Sequence, residues 1–348
     1  MRRAKPGSSC GPLSRTGAEA KPPWSAVPRA IKDEVAKLLG SPVARAERVY
    51  GGYAPSATFR MRLRDGRRAF MKGIYPLTKD SAVKWELENE EHIYRECEAF
   101  MRPWSPEYFG GARGEGWQVM VLEDVGPQTM PPWTAAKWKA CARSYAAFHA
   151  NTYGKPLPRW LSRIEHQDFA PFWDRLASSG ELRGTASLAK RRADEAEEWL
   201  DVALPVLREK AALLLKLRPP FAFAHFDTRS DNIRLQGKLL RMFDWNFACA
   251  GPVEFEVAAF AQSIAMEGGP EPERVVAEYD LVLPLRPVAL DASIAGIAGY
   301  FADRAWRPAM AGLPRIRSVQ RRQLKATLAW AARHFDLPEP RWLTAVAD

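Results

Sequence analysis

The sequence predicts an α+β fold in which a small strand-rich part precedes a larger, mainly helical part. Short runs of β-forming residues, separated by glycine, proline and aspartate, occupy much of 46–122. From residue 135 onward, apolar residues recur at the three- and four-residue spacing of helices. A chain of 348 residues, 47% of them hydrophobic, is long enough for two units that each bury a core. We therefore predict an N-lobe over 28–126 and a C-lobe over 127–348, after a disordered basic tail over 1–27.

The first elements are predicted from periodicity and from turn residues. Four apolar residues fall on one helical face over 28–39, before Gly40 ends the pattern. Asp65-Gly66 is a typical hairpin turn. It separates the last two of three predicted strands, which lie at 46–50, 58–63 and 69–74.

Two features of this strand region are candidates for binding phosphate. Gly51 and Gly52, closely followed by Ser56, join the first two strands, and a glycine pair lets backbone N–H groups approach an anion closely. An ordinary hairpin turn would show the same residues. Lys72 lies among apolar neighbours in the third strand, where a cation is otherwise out of place. We expect Lys72 to hold nucleotide phosphates, and the alternative is an edge-strand lysine that faces water.

A glutamate-rich helix is predicted over 81–100, and most of its acids fit a solvated face. One of these acids is expected to pair with Lys72. Glu90 is the preferred candidate, with Glu86 and Glu91 as alternatives.

The next strand, at 118–122, runs into a Gly-Pro break. The segment from Glu123 to Val125 would offer backbone N–H and C=O groups to the edge of a purine. A plain turn toward the following helix is the alternative.

The strongest chemical signal lies between residues 221 and 246. A short apolar run leads to His225 and Asp227, Asn232 follows, and Asp244 ends a second extended run. Oxygen-bearing side chains suit Mg²⁺, and a transferred phosphoryl group needs its charge neutralised. An isolated Asp-x4-Asn motif would be interpreted as a polar turn. The second aspartate and the upstream lysine favour a phosphoryl-transfer site instead.

The helical part is predicted from periodic segments at 135–150, 190–217, 253–264, 275–283, 292–306 and 318–335. His149 lies on the apolar face of the first segment, where a hydrogen-bonded core histidine is expected rather than a metal ligand. Several acidic residues lie within 194–201. They are expected to be mainly exposed to solvent, although they would also suit a cationic substrate.

Composition excludes several classes of protein. The net charge of +10 is concentrated at the ends, +6 in residues 1–50 and +5 in residues 300–348, and no basic stripe interleaved with aromatics indicates nucleic-acid binding. No apolar run is long enough to span a bilayer, and the N-terminus lacks the apolar core of a signal peptide, so we expect a cytoplasmic enzyme with no membrane partner. Neither a zinc site nor a disulfide framework is indicated by the four scattered cysteines, Cys10, Cys97, Cys141 and Cys249.

Together, these features resemble the aminoglycoside phosphotransferase and choline kinase family, which is built like a eukaryotic protein kinase. The resemblance implies a bilobal protein-kinase-like fold. In two places the sequence departs from the family, because Phe226 replaces a glycine and Glu256 an aspartate, but neither change removes a required group. The motif that carries the resemblance reads His225-Phe226-Asp227, Asn232, Asp244-Trp245, Gly251 and Glu256-Val257-Ala258.

The resemblance also implies a role for each candidate. Asp227 would orient the acceptor hydroxyl and accept its proton, and the His225 ring would hold the catalytic loop. Asn232 and Asp244 would bind Mg²⁺ beside ATP or GTP. The nucleotide-binding residues would be Gly51, Gly52, Ser56, Lys72, Glu90, Glu123 and Val125.

The expected function is transfer of the γ-phosphate of ATP or GTP to a hydroxyl of a small molecule. An antibiotic of aminoglycoside or nucleoside type is the favoured acceptor, with a sugar-like or choline-like metabolite as the alternative. A nucleotide-binding pseudokinase and a metal-dependent hydrolase are alternatives from other classes. The resemblance places the C-terminal helices beside the acceptor, and their cations argue against a strongly cationic acceptor: Arg304, Arg307, Arg315, Arg317, Arg321, Arg322 and Lys325.

Overall fold

A computed structural model describes residues 21–50, 56–76, 81–161, 165–310 and 315–348, with the backbone alone for 81–83. The chain divides into two compact units. Unit 1 contains the described residues up to Glu91, together with Glu107–Asp124 and Met310. The rest belongs to unit 2, which includes His92–Pro106. The predicted N-lobe of 28–126 had included that last interval.

Unit 1 is built on a five-stranded antiparallel sheet in the order β1-β2-β3-β5-β4. Residues alternate across it, so that Phe59 and Met61 of β2 are buried and Arg62 is exposed. The same core includes Ile31 of helix α1 (Arg29–Leu39). The strands are β1 (Val43–Arg48), β2 (Ala57–Leu63), β3 (Arg68–Ile74), β4 (Tyr108–Gly114) and β5 (Trp117–Glu123).

Strand β4 was not predicted, because glycines at its centre suppress the sequence signal of a strand. Gly110 has φ 138°, which side chains rarely adopt, and both glycines lie close to neighbouring side chains. A side chain at Gly110 would meet Leu38, and a Cβ at Gly111 would lie 2.3 Å from Oε1 of Glu91. The backbone of β4 therefore lies close to α1 and to Glu91. Such long-range contacts leave no periodic pattern in the sequence, so this strand could not be predicted from periodicity.

The predicted disordered tail over 1–27 is wrong for residues 21–27. Trp24 begins a 3₁₀ turn and its ring lies edge-on to Phe59, with centroids 5.2 Å apart. Lys21 Nζ donates to the carbonyl of Ser56 (3.1 Å) and to Thr58 Oγ1 (2.9 Å). This segment therefore packs on the sheet, through contacts between residues that are distant in sequence. Residues 1–20 lie outside the described part of the chain.

Unit 2 is mainly helical. Helix α2 reaches it from unit 1, and α10 packs against α7, α8 and α11. Helix α10 also packs on the 3₁₀ turn Leu213–Lys216 that follows α7, where a Cβ at Gly296 would lie 2.4 Å from Cδ1 of Leu214. The helices are α2 (Ser81–Glu96), α3 (Glu98–Met101), α4 (Ala135–Thr152), α5 (Phe172–Ser178), α6 (Leu182–Ser187), α7 (Ala193–Ala212), α8 (Val253–Met266), α9 (Pro272–Asp280), α10 (Pro287–Arg304) and α11 (Ile316–His334).

Two short ladders support the central stretch of the sequence. They pair β6 (Ala222–Ala224) with β9 (Cys249–Gly251), and β7 (Ile233–Gln236) with β8 (Leu239–Met242). The α+β fold, with a small β-rich unit and a larger helical unit, is thus confirmed. Among the described helices, none is long and apolar enough to cross a membrane.

One buried histidine of unit 2 makes the stability of the protein depend on pH. His166 packs edge-on against Phe221, with centroids 5.3 Å apart, and burial lowers its pKa below 6.5. As the pH falls, the unfolded chain binds a proton on this histidine more readily than the native state does. The contribution of His166 to the free energy of unfolding is therefore present above pH 6.5 and is lost as the pH falls.

We expect His166→Phe, which keeps a ring against Phe221, to reduce the loss of unfolding free energy between about pH 7.5 and 5.5 by up to ~1 kcal/mol per pH unit. Urea unfolding at several pH values measures this slope. Equal slopes for the variant and the wild type would show that His166 does not contribute.

Candidate active site

The loop between β6 and β7 is held in place by a buried histidine ring. The Nδ1 of His225 accepts from the backbone N–H of Asp227 (3.2 Å). Its proton is therefore on Nε2, which donates to the carbonyl of Phe243 (2.9 Å). Burial lowers the pKa of His225, which keeps the ring neutral. This ring links the loop to the end of β8 and has no hydrogen left for the reaction.

Asp227 lies in this loop with one carboxylate oxygen already engaged. Asn232 Nδ2 donates to its Oδ2 and to its main-chain carbonyl, both at 2.9 Å. Arg229 Nη2 donates to the same Oδ2 at 3.0 Å. Within the described residues no donor contacts Oδ1, and the side chain is 27% exposed. The arrangement fixes the carboxylate and leaves Oδ1 able to accept a further hydrogen bond.

The protonation equilibrium of Asp227 suits this role. Burial raises its pKa to about 7, opposed by Arg229 and reinforced by Asp231 and Asp244. A carboxylate with a pKa near neutrality is a better proton acceptor than an ordinary aspartate.

Asp244 follows β8 with a left-handed backbone, φ 72°. When its amide is oriented to satisfy both neighbours, Asn246 donates to the Asp244 carbonyl at 2.9 Å and to Oδ1 at 3.3 Å. Asn232 uses its amide nitrogen on Asp227, and its Oδ1 meets no donor in the described part of the chain.

A carboxylate and an amide oxygen are the donors that Mg²⁺ prefers, so Asn232 and Asp244 fit this ion. The described residues contain no cluster of three or more His, Cys, Asp or Glu side chains that would hold a metal without substrate. Asn232 and Asp244 could each contribute an oxygen ligand to such an ion.

Glu256 of α8 binds the backbone at the start of the loop between β6 and β7. Its two oxygens accept from the backbone N–H groups of His225 (2.7 Å) and Phe226 (2.8 Å). Phe226 has φ 66°, so the carboxylate stabilises a backbone conformation that side chains rarely adopt. Burial opposes ionisation of Glu256, but His149 and Tyr145 outweigh it and lower its pKa.

His149 is part of the same buried network. Its Nδ1 is 2.6 Å from the Tyr279 hydroxyl, and Tyr145 donates to Glu256 at 2.5 Å. The structure therefore agrees with the expected hydrogen-bonded core histidine.

We expect Glu256→Gln to lower the free energy of unfolding by about 2–3 kcal/mol, because the amide offers one acceptor where the carboxylate serves two buried N–H groups. Transfer activity should fall with it, since the loop loses its anchor. Chemical denaturation measures the first effect. The exposed Glu271→Gln is the matched control and should change stability by less than about 0.5 kcal/mol. Similar stabilities for the two variants would contradict the role given to Glu256.

Lys72 and Glu90 form an ion pair in unit 1, with Nζ 2.6 Å from Oε2. Glu90 is 1% exposed and Lys72 19%. Glu91, one of the alternative candidates, instead accepts hydrogen bonds from Arg113 Nη2 (2.6 Å) and from the Tyr108 hydroxyl (2.9 Å). Since β3 is the central strand of the sheet, the alternative of an edge-strand lysine does not apply.

Of the other predicted nucleotide-binding residues, the structure describes Ser56, Glu123 and Val125. Ser56 is buried. The Glu123 N–H donates to the carbonyl of Glu107 (2.9 Å), and the Val125 carbonyl accepts from Gln236 (3.3 Å). The Val125 N–H has no acceptor among the residues that the structure describes. Gly51 and Gly52 lie outside those residues.

Two residues of the site were missed in the sequence. Arg229 stands two positions after Asp227, and this spacing was the available signal. Glu267 accepts from Ser230 Oγ (2.5 Å) and from Trp133 Nε1 (2.8 Å), which ties the loop to the end of α8. No local pattern identifies Glu267, because its partners are distant in sequence.

Solved structures resemble this chain in fold. An aminoglycoside phosphotransferase from Alicyclobacillus acidocaldarius is 16% identical, with a TM-score of 0.60 over 93% of this chain and 98% of that one. A spectinomycin phosphotransferase solved with ADP and spectinomycin is 12% identical, with a TM-score of 0.58 over 88% and 98%. A microcompartment-associated aminopropanol kinase is 13% identical, with a TM-score of 0.55 over 87% and 98%. These likenesses confirm the protein-kinase-like fold.

Sequence comparison gives the family. No curated protein is a significant match to the chain. The family model described as the phosphotransferase enzyme family matches residues 47–291, which is more than half of the sequence. By this match, and with the fold and site already described, the chain belongs to the phosphotransferase enzyme family.

Proposed function

We propose that this phosphotransferase moves the γ-phosphate of ATP or GTP, in the presence of Mg²⁺, to a hydroxyl of a small molecule. The observation that carries the proposal is the Asp227 carboxylate, whose Oδ2 is held by Asn232 and Arg229 while Oδ1 faces no protein donor among the described residues. A carboxylate held in this way can orient a hydroxyl and accept its proton.

The chain's own residues would divide the work of the reaction. Oδ1 of Asp227 accepts a hydrogen bond from the acceptor hydroxyl and takes its proton as the new O–P bond forms and the bond to the β-phosphate oxygen breaks. Arg229, fixed against the same carboxylate, places positive charge beside the transferring group. Lys72, held by Glu90, would bind the nucleotide phosphates.

The metal ion would be held by Asn232 Oδ1 and the Asp244 carboxylate. When bound, Mg²⁺ would neutralise charge on the nucleotide phosphates.

The favoured acceptor remains an antibiotic of aminoglycoside or nucleoside type, which would make the protein a resistance enzyme. Support comes from the spectinomycin phosphotransferase among the similar folds. A sugar-like or choline-like metabolite is the alternative, supported by the aminopropanol kinase. Both would place the protein in the cytoplasm, where ATP, GTP and Mg²⁺ are supplied.

A transfer assay tests the proposal. Wild-type protein is incubated with Mg²⁺ and ATP or GTP, with a panel of aminoglycosides, nucleoside antibiotics, choline and sugars, and products are detected by mass spectrometry. Asp227→Asn is the control. We expect at least one acceptor to gain a phosphoryl group in a reaction that this substitution abolishes. The proposal would be refuted if the wild-type protein showed no phosphoryl transfer and no nucleotide hydrolysis that depends on Asp227.

A further inference from the structure

Aromatic side chains border the catalytic loop of unit 2. Phe226, the neighbour of Asp227, stacks on Phe255 with centroids 5.1 Å apart and planes 8° apart. Phe169 lies 5.8 Å from Phe226 and 5.2 Å from Tyr300. We call these four residues the aromatic wall. Three of its members, Phe169, Phe226 and Tyr300, are partly exposed, so the wall offers an apolar surface beside the proposed catalytic carboxylate.

The aromatic wall depends on an unusual backbone. Phe226 keeps φ 66° although its side chain disfavours this region, and Glu256 accepts its N–H. A residue held in such a conformation at a catalytic loop is more readily explained by a role for its side chain than by folding alone. The Phe226 ring at this position stands in the loop that carries Asp227, against Phe255 and Phe169.

Two arginines stand at the Tyr300 end of the aromatic wall. The Arg304 guanidinium lies 5.8 Å from the Tyr300 ring centroid, and Arg317 donates to the Arg304 carbonyl at 3.0 Å. We call Arg304 and Arg317 the basic pair. The other acceptors of Arg317 are also neutral, the Pro308 carbonyl (2.8 Å) and the Gln320 amide oxygen (2.7 Å). In the described ranges, no carboxylate forms an ion pair with Arg317.

Around the basic pair, arginines outnumber the carboxylates that form ion pairs with them in the described part of the chain. The arginines in question are Arg175, Arg304, Arg307 and Arg317. Among the described residues, two carboxylates form ion pairs with them, Glu181 with Arg307 and Asp303 with three of the four. Asp303 is buried and shared by three guanidinium groups, at 3.1, 3.4 and 2.9 Å for Arg175, Arg304 and Arg307. With Arg317, four cations therefore face two anions.

The electrostatic effects agree with this geometry. Burial raises the pKa of Tyr300. The charge of Arg304 opposes this rise and the charge of Asp227 adds to it, so both residues act electrostatically on the Tyr300 hydroxyl. Burial and the adjacent Arg304 lower the pKa of Arg317. A bound anion would relieve the repulsion that Arg317 experiences.

We infer that the acceptor carries an anionic group, a carboxylate or a phosphate, bound by Arg304 and Arg317, while its apolar part lies on the aromatic wall and its hydroxyl meets Asp227. The inference rests on the proposed phosphoryl transfer at Asp227, and it narrows the proposed acceptors to nucleoside or sugar-like molecules that carry an anion, against the cationic aminoglycoside and choline-like ones. Guanidinium groups bind both anions through paired hydrogen bonds, which gives the site a preference that neutral or cationic analogues cannot satisfy.

Matched probes test the inference. They share a hydroxymethyl-substituted benzene ring and differ in the para group: carboxylate, phosphonate, carboxamide or aminomethyl. Binding is measured by ligand-observed NMR in the presence of Mg²⁺ and a non-hydrolysable ATP analogue, and phosphorylation by mass spectrometry with ATP. We expect an anionic probe to bind at least about tenfold more tightly than the carboxamide, with the amine weakest.

Variants of the basic pair identify the residues responsible. Arg304→Met and Arg317→Met should each bring the ratio of anionic-probe to carboxamide affinity toward one. This ratio is taken within one variant, so it is insensitive to partial unfolding. Arg333→Met, on the same helix as Arg317 but paired with Glu271 and Glu273, is the matched control and should keep the wild-type ratio.

The outcomes separate the two claims. Equal affinities, preference for the amine, no detectable binding of any probe, or an unchanged ratio in both arginine variants would each overturn the inference. ATP hydrolysis that requires Asp227 would persist in those cases and leave the phosphotransferase function standing. Loss of the preference in either arginine variant, with retention in Arg333→Met, supports the inference.

Discussion

Asp227→Asn is expected to reduce phosphoryl transfer by at least about a hundredfold while nucleotide affinity stays within about twofold of wild type. The amide can still accept from Asn232 and Arg229 through one oxygen, so the loop should keep its shape. It cannot take a proton from the acceptor hydroxyl. The loss should therefore appear in kcat rather than in the dissociation constant for the nucleotide.

Asp231→Asn provides the matched control for that experiment. Asp231 lies in the same loop, 3.6 Å from Arg229, but makes no hydrogen bond to the proposed reacting groups. We expect it to retain activity within about fivefold. Steady-state kinetics and nucleotide titration separate the two variants. If Asp227→Asn were as active as Asp231→Asn, the proposed catalytic residue would be wrong.

Lys72→Met should lower kcat/KM by about 10²–10³ and should also destabilise unit 1. The first effect would follow from loss of the fixed cation that we propose binds the nucleotide phosphates. The second follows because Glu90, 1% exposed, would be left buried without its 2.6 Å partner, at a cost of about 3 kcal/mol.

The double variant Lys72→Met with Glu90→Gln separates these two effects. Removing the stranded carboxylate should recover most of the stability and none of the activity. Denaturation curves and kinetics on the four proteins of the cycle supply the comparison. A double variant that regained activity along with stability would mean that Lys72 acts through folding rather than on the nucleotide.

Several features of this protein were determined by the sequence alone, because they depend on spacing along the chain. Short runs of β-forming residues on either side of the Asp65-Gly66 turn predicted strands β2 and β3 to within one residue. The spacing of Asp227, Asn232 and Asp244 predicted oxygen donors at the ends of short strands. The structure has them there, since a short loop and one hairpin keep them near one another.

The choice among three glutamates required the folded protein. Glu86, Glu90 and Glu91 lie on the same predicted helix, and each was a candidate partner for Lys72. The register of α2 against β3 brings Glu90 to Lys72, while Glu91 meets Arg113 of β4. Strand β4 was not predicted from the sequence. Its Arg113 therefore could not have been assigned as the partner of Glu91 by reasoning from the sequence.

The sequence by itself therefore determined the fold class, the central motif and the reaction class that the motif suggests, since these follow from local periodicity and short spacings. Only the tertiary structure decided which residues support the loop and how charge is balanced around Arg304 and Arg317. Glu256 and Glu267 reach the loop from 29 and 40 positions after Asp227. The arginines of the C-terminal helices were visible as charge, but their surplus over Asp303 and Glu181 appears only when α10, α11 and the residues near α6 pack together. Long-range packing sets such balances, and no local pattern encodes it.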